Sequence, residues 1–468
     1  MNSAAAHVTV VGGGLAGMSA AVALAPRGYR VTLIEKRPAL GGRAGSLLDA
    51  ASGEWIDNCQ HILMPCCTNL LDFYRKIGVE RKIRFHPEIP FLDSRGRLSR
   101  LYSSPLPAPL HCLPSFFALR FLSLHDKWRI AAGLYALRHL AEADESDGRP
   151  FLEWLRSNGQ SARALAEFWQ PVVVSALNEE PARVSARLAA KVFLEAFLSH
   201  PKGWWMGIPT VPLGLLYQEP AAGFLRSCGS EVLLRSDVLA VERLDGNRWA
   251  VQLRDGPRID SDRIVLAVPW HALPPLLSGS VRSSMMLPPV ENLKASPITG
   301  VHVWFDRPVT DLSFAALPGK QVHWLFNKSG TCELRDDRIC YLQLVRSASR
   351  SWTELGKSEI LDIALGDLRQ VLPQARAAVV RKARVFKEPF ATFSPDPKSD
   401  TIRPDSRTGA ANAYLAGDWT RTGWPSTMEG AVRSGYLAAE AVLADDGRSE
   451  RVMVPDLPPS GFMRRAGS

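Results

Sequence analysis

Val8-Thr9-Val10-Val11-Gly12-Gly13-Gly14-Leu15-Ala16-Gly17 runs from an apolar stretch through a glycine turn into an alanine-rich segment. Gly12, Gly14 and Gly17 have the spacing that lets a strand turn tightly into a helix whose first backbone N–H groups face a pyrophosphate. Val31-Thr32-Leu33-Ile34-Glu35 reads as the second strand, and Glu35, 18 residues beyond Gly17, stands where a carboxylate bonds a ribose hydroxyl. Glycine turns also occur in other α/β units. Here the strand before, the helix after and the acid beyond agree on a dinucleotide-binding unit at the start of the chain.

The 468 residues suffice for two or three domains with filled cores. A formal charge of +9 at pH 7 and an isoelectric point near 9.3 suggest an anionic partner: a membrane surface, a nucleic acid or a phosphorylated substrate. No zinc-finger, RNA-recognition or helix-turn-helix signature is present, which argues against nucleic acid. Between Arg75 and Arg100 eight Lys or Arg stand against three acids, with Phe73, Phe85, Phe91 and Leu98 interleaved. That stretch reads either as a surface for an anionic membrane or as an ordinary solvated basic face. Seven cysteines occur, at 59, 66, 67, 112, 228, 332 and 340. The odd count and the adjacent Cys66-Cys67 pair argue against a disulfide framework, and no spacing matches a zinc site, so no metal is expected. The first strand begins by Val8, leaving no room for a cleaved leader, and no run of about 18 apolar residues could span a bilayer. The expectation is a cytoplasmic protein, with any membrane contact peripheral and on the inner face of the cytoplasmic membrane.

A second glycine pair, Gly41-Gly42, followed by Arg43, lets backbone approach a large ligand again. Residues 105–124 are apolar and broken by proline, and read as either a buried loop and helix or a lip dipping into a membrane. From Asp126 to His200 apolar residues recur at three and four, as in Leu134, Leu137 and Leu140, which predicts a helical insert. Strand patterns return at 232–234, 238–242, 249–253 and 263–269, where the nucleotide unit resumes. Runs at 298–305 and 339–345 predict a second sheet and 355–372 a helix across it; a short strand at 414–418 ends in Gly417-Asp418, before a helix over 429–443. The fold class is therefore α/β. A nucleotide-binding domain of residues 1–90, 206–275 and 405–445 interleaves with an α+β substrate domain of 91–205 and 276–404, and a proline-rich tail, 446–468, is flexible.

The glycine fingerprint, the Gly-Gly-Arg at 41–43 and the late Gly417-Asp418 before a helix together resemble the FAD-dependent amine oxidases and phytoene desaturases, a superfamily with a glutathione-reductase-like fold. The resemblance covers nearly the whole chain and implies FAD as cofactor. It places Gly12, Gly14 and Gly17, with Leu15 and Ala16, at the diphosphate, Glu35 and the adjoining Lys36 at the adenosine ribose, and Val238 along the adenine. Gly42, Arg43 and Asn58 join the cofactor set, and Gly417 and Asp418 fall near the ribityl phosphate end. Thr427, Met428 and Ala431, at the start of the last helix, would bring N–H groups and a positive dipole to the pyrimidine edge of the flavin. Three stretches narrow the resemblance: Asp57-Asn58-Cys59-Gln60-His61, residues 171–181 with Asn178-Glu179-Glu180-Pro181, and residues 415–435 with Asp418-Trp419-Thr420-Arg421-Thr422-Gly423-Trp424-Pro425. They are similar to the squalene-associated FAD enzymes of hopanoid biosynthesis, the hydroxysqualene dehydroxylases. Cys59 stands where that family usually has glycine, and Glu179-Glu180 where many relatives have Thr-Pro.

The activity so implied is reductive. Hydroxysqualene, a C30 isoprenoid alcohol, loses its hydroxyl as water and gains hydride from N5 of the reduced flavin, giving squalene. Carotenoid-type or squalene desaturation, with electrons flowing the other way, is the alternative. Amine oxidation ranks below both, because Thr299 and Gly300 occupy the region where true amine oxidases carry a lysine and Lys294 lies earlier. Hydroxide leaves poorly, so an acid should protonate it. Glu179, His61 and Glu180 are the candidates, Glu179 first because burial beside an apolar substrate disfavours a carboxylate's charge; Asp57 reads as structural. Trp204, Trp205 and Trp424, with Trp419, are candidate aromatic faces for a cationic carbon, although Trp204 and Trp205 also fit a plain domain junction. With no second glycine fingerprint for NADPH, an external electron donor is expected.

Overall fold

The computed structural model describes residues 5–49, 53–141, 148–331 and 339–464. His7–Val11 is a wholly buried strand, paired in parallel with Arg30–Ile34 on one side and Arg263–Leu266 on the other. Glu231–Leu233 and Ala413–Leu415 extend it to a five-stranded parallel sheet. A parallel sheet is covered on both faces, which is why these segments are near-continuous apolar runs. Its strands come from three distant parts of the chain.

The glycine turn joins this sheet to Leu15–Leu24, a helix of ten buried residues. Gly12 has a φ of +111°, and a Cβ there would lie 2.6 Å from the carbonyl oxygen of Ala267. A Cβ on Gly17 would lie 1.9 Å from the carbonyl oxygen of Gly12. Only glycine permits both the left-handed turn and the close seating of the helix on the strand. The helix also packs on Met428–Asp445, where Ser19 Oγ donates to the Val432 carbonyl at 3.2 Å.

The second sheet has seven strands in the order Val380–Phe393, Ala295–Phe305, Cys340–Arg346, Trp324–Asn327, Phe314–Ala316, Glu88–Leu92 and Leu98–Tyr102. Lys357–Val371 crosses it with Ile360, Ala364 and Leu368 turned into the core, following the spacing seen in residues 355–372. Because Glu88–Leu92 pairs with Leu98–Tyr102 here, the expected domain border at residue 90 falls inside a strand. The insert contains Leu124–Ala141, Phe151–Ser157, Gln170–Leu177 and Ala186–Val192. Two of its segments, Leu165–Trp169 and Phe193–Leu198, widen into π turns, which are rare and frequently occur at functional sites.

In the stretch from 75 to 100, Arg81, Lys82, Arg84 and Arg95 are exposed, as in the solvated-face reading, but the aromatic residues Phe73 and Phe91 do not share that face. Phe73 is buried against the first sheet and Phe91 faces an internal cavity, while Arg75, Lys76, Arg97 and Arg100 pair with Asp72, Glu80, Asp93 and Glu88. The tail is not loose as far as residue 464. Val452 is buried, Glu440 Oε1 accepts the N–H groups of Val452 and Met453 at 2.7 and 2.9 Å, Asp456 pairs with Arg433, and the Phe462 N–H donates to the Ala108 carbonyl at 2.8 Å. Its prolines lessen the chain entropy lost on docking. In residues 105–124, Ala108, His111, Phe116 and Leu119 are buried, whereas Leu106, Leu110 and Leu113 are exposed. Six cysteines are free thiols, and Cys332 lies outside the described residues.

Candidate active site

A cavity of about 1160 Å³ runs from the glycine turn into the helical insert. At the turn, Gly14 presents bare backbone, with nothing within 4 Å of where a Cβ would stand. Glu35 is held at the wall by its own backbone neighbours: Oε2 accepts the Gly13 N–H at 2.7 Å and Oε1 the Arg37 N–H at 2.8 Å. Asp418 is buried between Arg43 and Ser426, and Arg43 also donates to the Ala391 carbonyl at 2.8 Å. The last helix starts beside them, its N-cap Thr427 accepting the Gly430 N–H at 3.0 Å. Glu429, in the first turn, reaches sideways to accept from the Leu70 N–H at 2.7 Å and the Arg433 guanidinium at 2.7 Å. It thereby caps Thr68–Lys76 and fixes a second helix N-terminus near the first.

These groups fit FAD: N–H donors at a helix N-terminus suit a diphosphate, a fixed carboxylate suits a ribose, and a second helix N-terminus suits an anionic ring edge. Every residue read from the sequence as cofactor-binding lines the cavity except Gly17. Gly17 lies beneath the turn, where its role is the helix seating described above.

The loop at 57–61 closes one side. Asp57 is buried and accepts from Ser46 Oγ at 2.6 Å, the Leu213 N–H at 2.9 Å and Lys328 Nζ at 2.9 Å. Burial opposes its charge, but Lys328 and these hydrogen bonds prevail and hold its carboxyl below the usual carboxylate range. Asp57 thus supports the loop, as its sequence reading has it. Cys59 lines the cavity with its thiol pushed by burial up to about 12. His61 lines it too. Its Nδ1 lies 2.9 Å from the Cys59 carbonyl, which can only accept, so Nδ1 carries the proton and Nε2 remains an acceptor. Burial lowers its pKa, and a neutral imidazole with its one N–H already engaged is a poor proton donor to substrate.

Glu179 and Glu180 are not placed to act as acids on a substrate in this cavity. Glu179 is fully buried, but both its oxygens are bonded by the Arg350 guanidinium at 2.6 and 2.7 Å, and Ser394 Oγ adds a third bond at 2.6 Å. Neither glutamate lines the cavity, and Glu180 is exposed. The preceding Asn178, at φ +51°, accepts the Ala348 N–H at 2.7 Å and donates to the Ser296 carbonyl at 2.9 Å. The 178–180 motif is therefore a clamp between the insert and the second sheet. Trp204 and Trp205 also miss the cavity and pack in or against the core of the insert, which supports the junction reading. Trp424 does line it, with Lys191 Nζ 5.3 Å and the Arg433 guanidinium 4.8 Å from its ring centre.

The far part of the cavity is a chamber walled by Phe91, Phe116, Phe121, Phe168, Phe197 and Trp324. Two carboxyls interrupt it, Glu167 and Glu195, one on each π turn, and burial raises the pKa of both. Sequence periodicity misses them because a π turn shifts the face that a helical spacing assigns. Arg403 is missed as well: almost fully buried, it pairs with Asp400 at 2.9 Å and donates to the Trp424 carbonyl at 2.8 Å, stitching the 418–424 loop together. Nothing in its local sequence distinguishes it from a surface arginine.

Residues 15–443 match the family of flavin-containing amine oxidoreductases. Among curated proteins, the chain is 26% identical over 466 residues to a 15-cis-phytoene desaturase of Synechococcus elongatus, covering 95% of this chain and 97% of that one. It is 27% identical over 480 residues to a probable zeta-carotene desaturase of the same organism, covering 93% and 98%. Among solved structures, an oxidoreductase from Methanosarcina mazei superposes with a TM-score of 0.70 at 17% identity, covering 94% of this chain and 100% of that one.

Proposed function

Because the chain belongs to the flavin-containing amine oxidoreductases and uses FAD, we propose that it transfers hydride between the cofactor and an allylic carbon of a long apolar isoprenoid, carotenoid-type desaturation being the direction its relatives support best. The observation that carries this reading is continuity: the cofactor cradle and the aromatic chamber are one cavity. When bound, FAD supplies a two-electron centre that takes or gives hydride at N5. The chain supplies the surroundings. The chamber excludes water and aligns a hydrocarbon, and the helix N-terminus at Thr427 favours negative charge at its end.

Leu110 and Leu113 are exposed, as is Trp128, whose ring meets Phe117 of the same segment at 5.1 Å, and Pro109, Cys112 and Leu113 line the cavity. No helix among the described residues is long and apolar enough to cross a membrane. This exposed apolar edge beside the cavity suits a substrate drawn from lipid by a peripherally docked protein, on the cytoplasmic face of an anionic membrane. Sedimentation with anionic liposomes that is lost in L113S/W128S supports this; no sedimentation of the parent protein overturns it.

A second reading is reductive dehydroxylation of hydroxysqualene to squalene in hopanoid biosynthesis. It is favoured by the 415–435 resemblance and by carboxyls in a chamber that a pure hydrocarbon would not require. Anaerobic mixing separates the two. Oxidised protein bleached by phytoene or squalene, with a conjugated polyene formed, supports desaturation. Reduced protein reoxidised by hydroxysqualene, with squalene formed in step, supports dehydroxylation. For either direction the electron partner is external, and rapid bleaching by NADPH alone would refute that.

A further inference from the structure

Glu195 stands on the π turn Phe193–Leu198, and its neighbours on that wall, Val192, Phe193, Ala196, Phe197 and Leu198, are apolar. One turn back, Lys191 Nζ lies 3.7 Å from its carboxylate and 5.3 Å from the centre of the Trp424 ring. Trp424 shares a loop with Asp418 and Thr427, so this carboxyl lies at the cofactor end of the chamber. The other charged and titratable groups facing it are Cys66, from the segment before Thr68–Lys76, Arg433, from the last helix, and Asp456, from the tail. Glu167, on the other π turn, lies against the Gly319 turn with Asp93 and Arg163.

We propose that Glu195 is the acid that protonates the leaving oxygen of an allylic alcohol bound in the chamber, with Lys191 positioning it and Trp424 facing the electron-poor carbon; this assignment rests on the dehydroxylation reading. The carboxyl gives its proton to the hydroxyl oxygen as the C–O bond breaks, and water leaves with the bonding pair. The carbon is then filled by hydride, with its electron pair, from reduced FAD, which ends oxidised. Glu195 regains one proton from solvent. Burial lifts its pKa above the ordinary glutamate value, so more of the acid form survives toward neutral pH than in water. Turnover should fall as pH rises through that raised value.

The test uses the FAD-loaded protein, reduced anaerobically, with hydroxysqualene and with its acetate ester, whose leaving group needs no proton. Parent protein forming squalene upholds the reading on which the assignment stands. Glu195→Gln should then slow squalene formation from the alcohol by about 100-fold or more, flatten the pH profile and leave the ester rate within a few-fold of the parent. Infrared difference spectra of the loaded protein, without substrate, should show a protonated carboxyl band in the parent that E195Q lacks. Equal slowing with alcohol and ester would make Glu195 structural and overturn the assignment alone. No squalene from the parent protein would overturn the reading and the assignment together.

Discussion

The cofactor cradle and the substrate chamber share one cavity but are built from different materials. The cradle presents backbone: open space beside Gly14, a left-handed turn at Gly12, and a carboxylate on Glu35 that two N–H groups hold in place. The chamber presents side chains, mostly aromatic, on helices that depart from α geometry where its two carboxyls enter. Backbone recognition demands particular residues at particular spacings. A side-chain chamber needs only volume and polarity, which many sequences supply.

The contrast can be broken most severely at Gly12. Gly12→Val should leave the purified protein without FAD, because the +111° φ and the 2.6 Å approach to Ala267 exclude any side chain; the backbone strain alone costs about 1–3 kcal/mol. The flavin-to-protein absorbance ratio measures this, and a stoichiometric flavin would refute the backbone account.

Glu179→Ala comes next and acts on the clamp. It strands Arg350, whose side chain is 29% exposed, so the loss should lie near the lower end of the roughly 3–5 kcal/mol typical of a broken buried pair. Urea unfolding should shift while flavin content stays stoichiometric. A variant with parental stability that cannot turn over substrate would return Glu179 to the chemistry.

Between the two regions lies the Asp57–Lys328 pair. Since the folded pKa of Asp57 is lowered, its native state binds fewer protons than the unfolded chain in that range. Its contribution is therefore complete above the unfolded carboxylate value of about 4 and is lost as pH falls through the folded value. Lys328→Met removes the cation that outweighs desolvation, so urea unfolding followed by tryptophan fluorescence should show a stability loss at neutral pH that shrinks as pH falls through the carboxylate range. A loss that is the same at every pH would mean that the charge of Asp57 does not set it.

The smallest effect should be in the chamber itself. Phe168→Leu, next to Phe193 at 6.2 Å, should raise KM a few-fold with kcat and flavin content nearly unchanged. A loss of flavin would show that the two regions are not separable.

Legibility followed the same division. The glycine turn, the second strand, Asp418 and the capped helix at Thr427 were readable because each carries a backbone requirement. The sequence puts Glu179 forward as an acid because its burial is legible locally, whereas the partner that neutralises it, Arg350, lies 171 residues away. Phe73 and Phe91 read as parts of a surface because what turns them inward is distant: Phe73 packs in the first core, and the strand of Phe91 pairs with the segment at Ala316. The tail reads as free because it is held by folding back on the preceding helix, at Glu440 and Arg433, and by a remote loop at Ala108.

The sequence by itself determined the parallel sheet, the cofactor class and the helical character of the insert, since each depends on local spacing of glycine or apolar residues. Only the tertiary structure decided which carboxyls are clamped and which face the cavity, because the charge state of a buried group depends on partners brought to within about 4 Å by folding and on the water excluded around them.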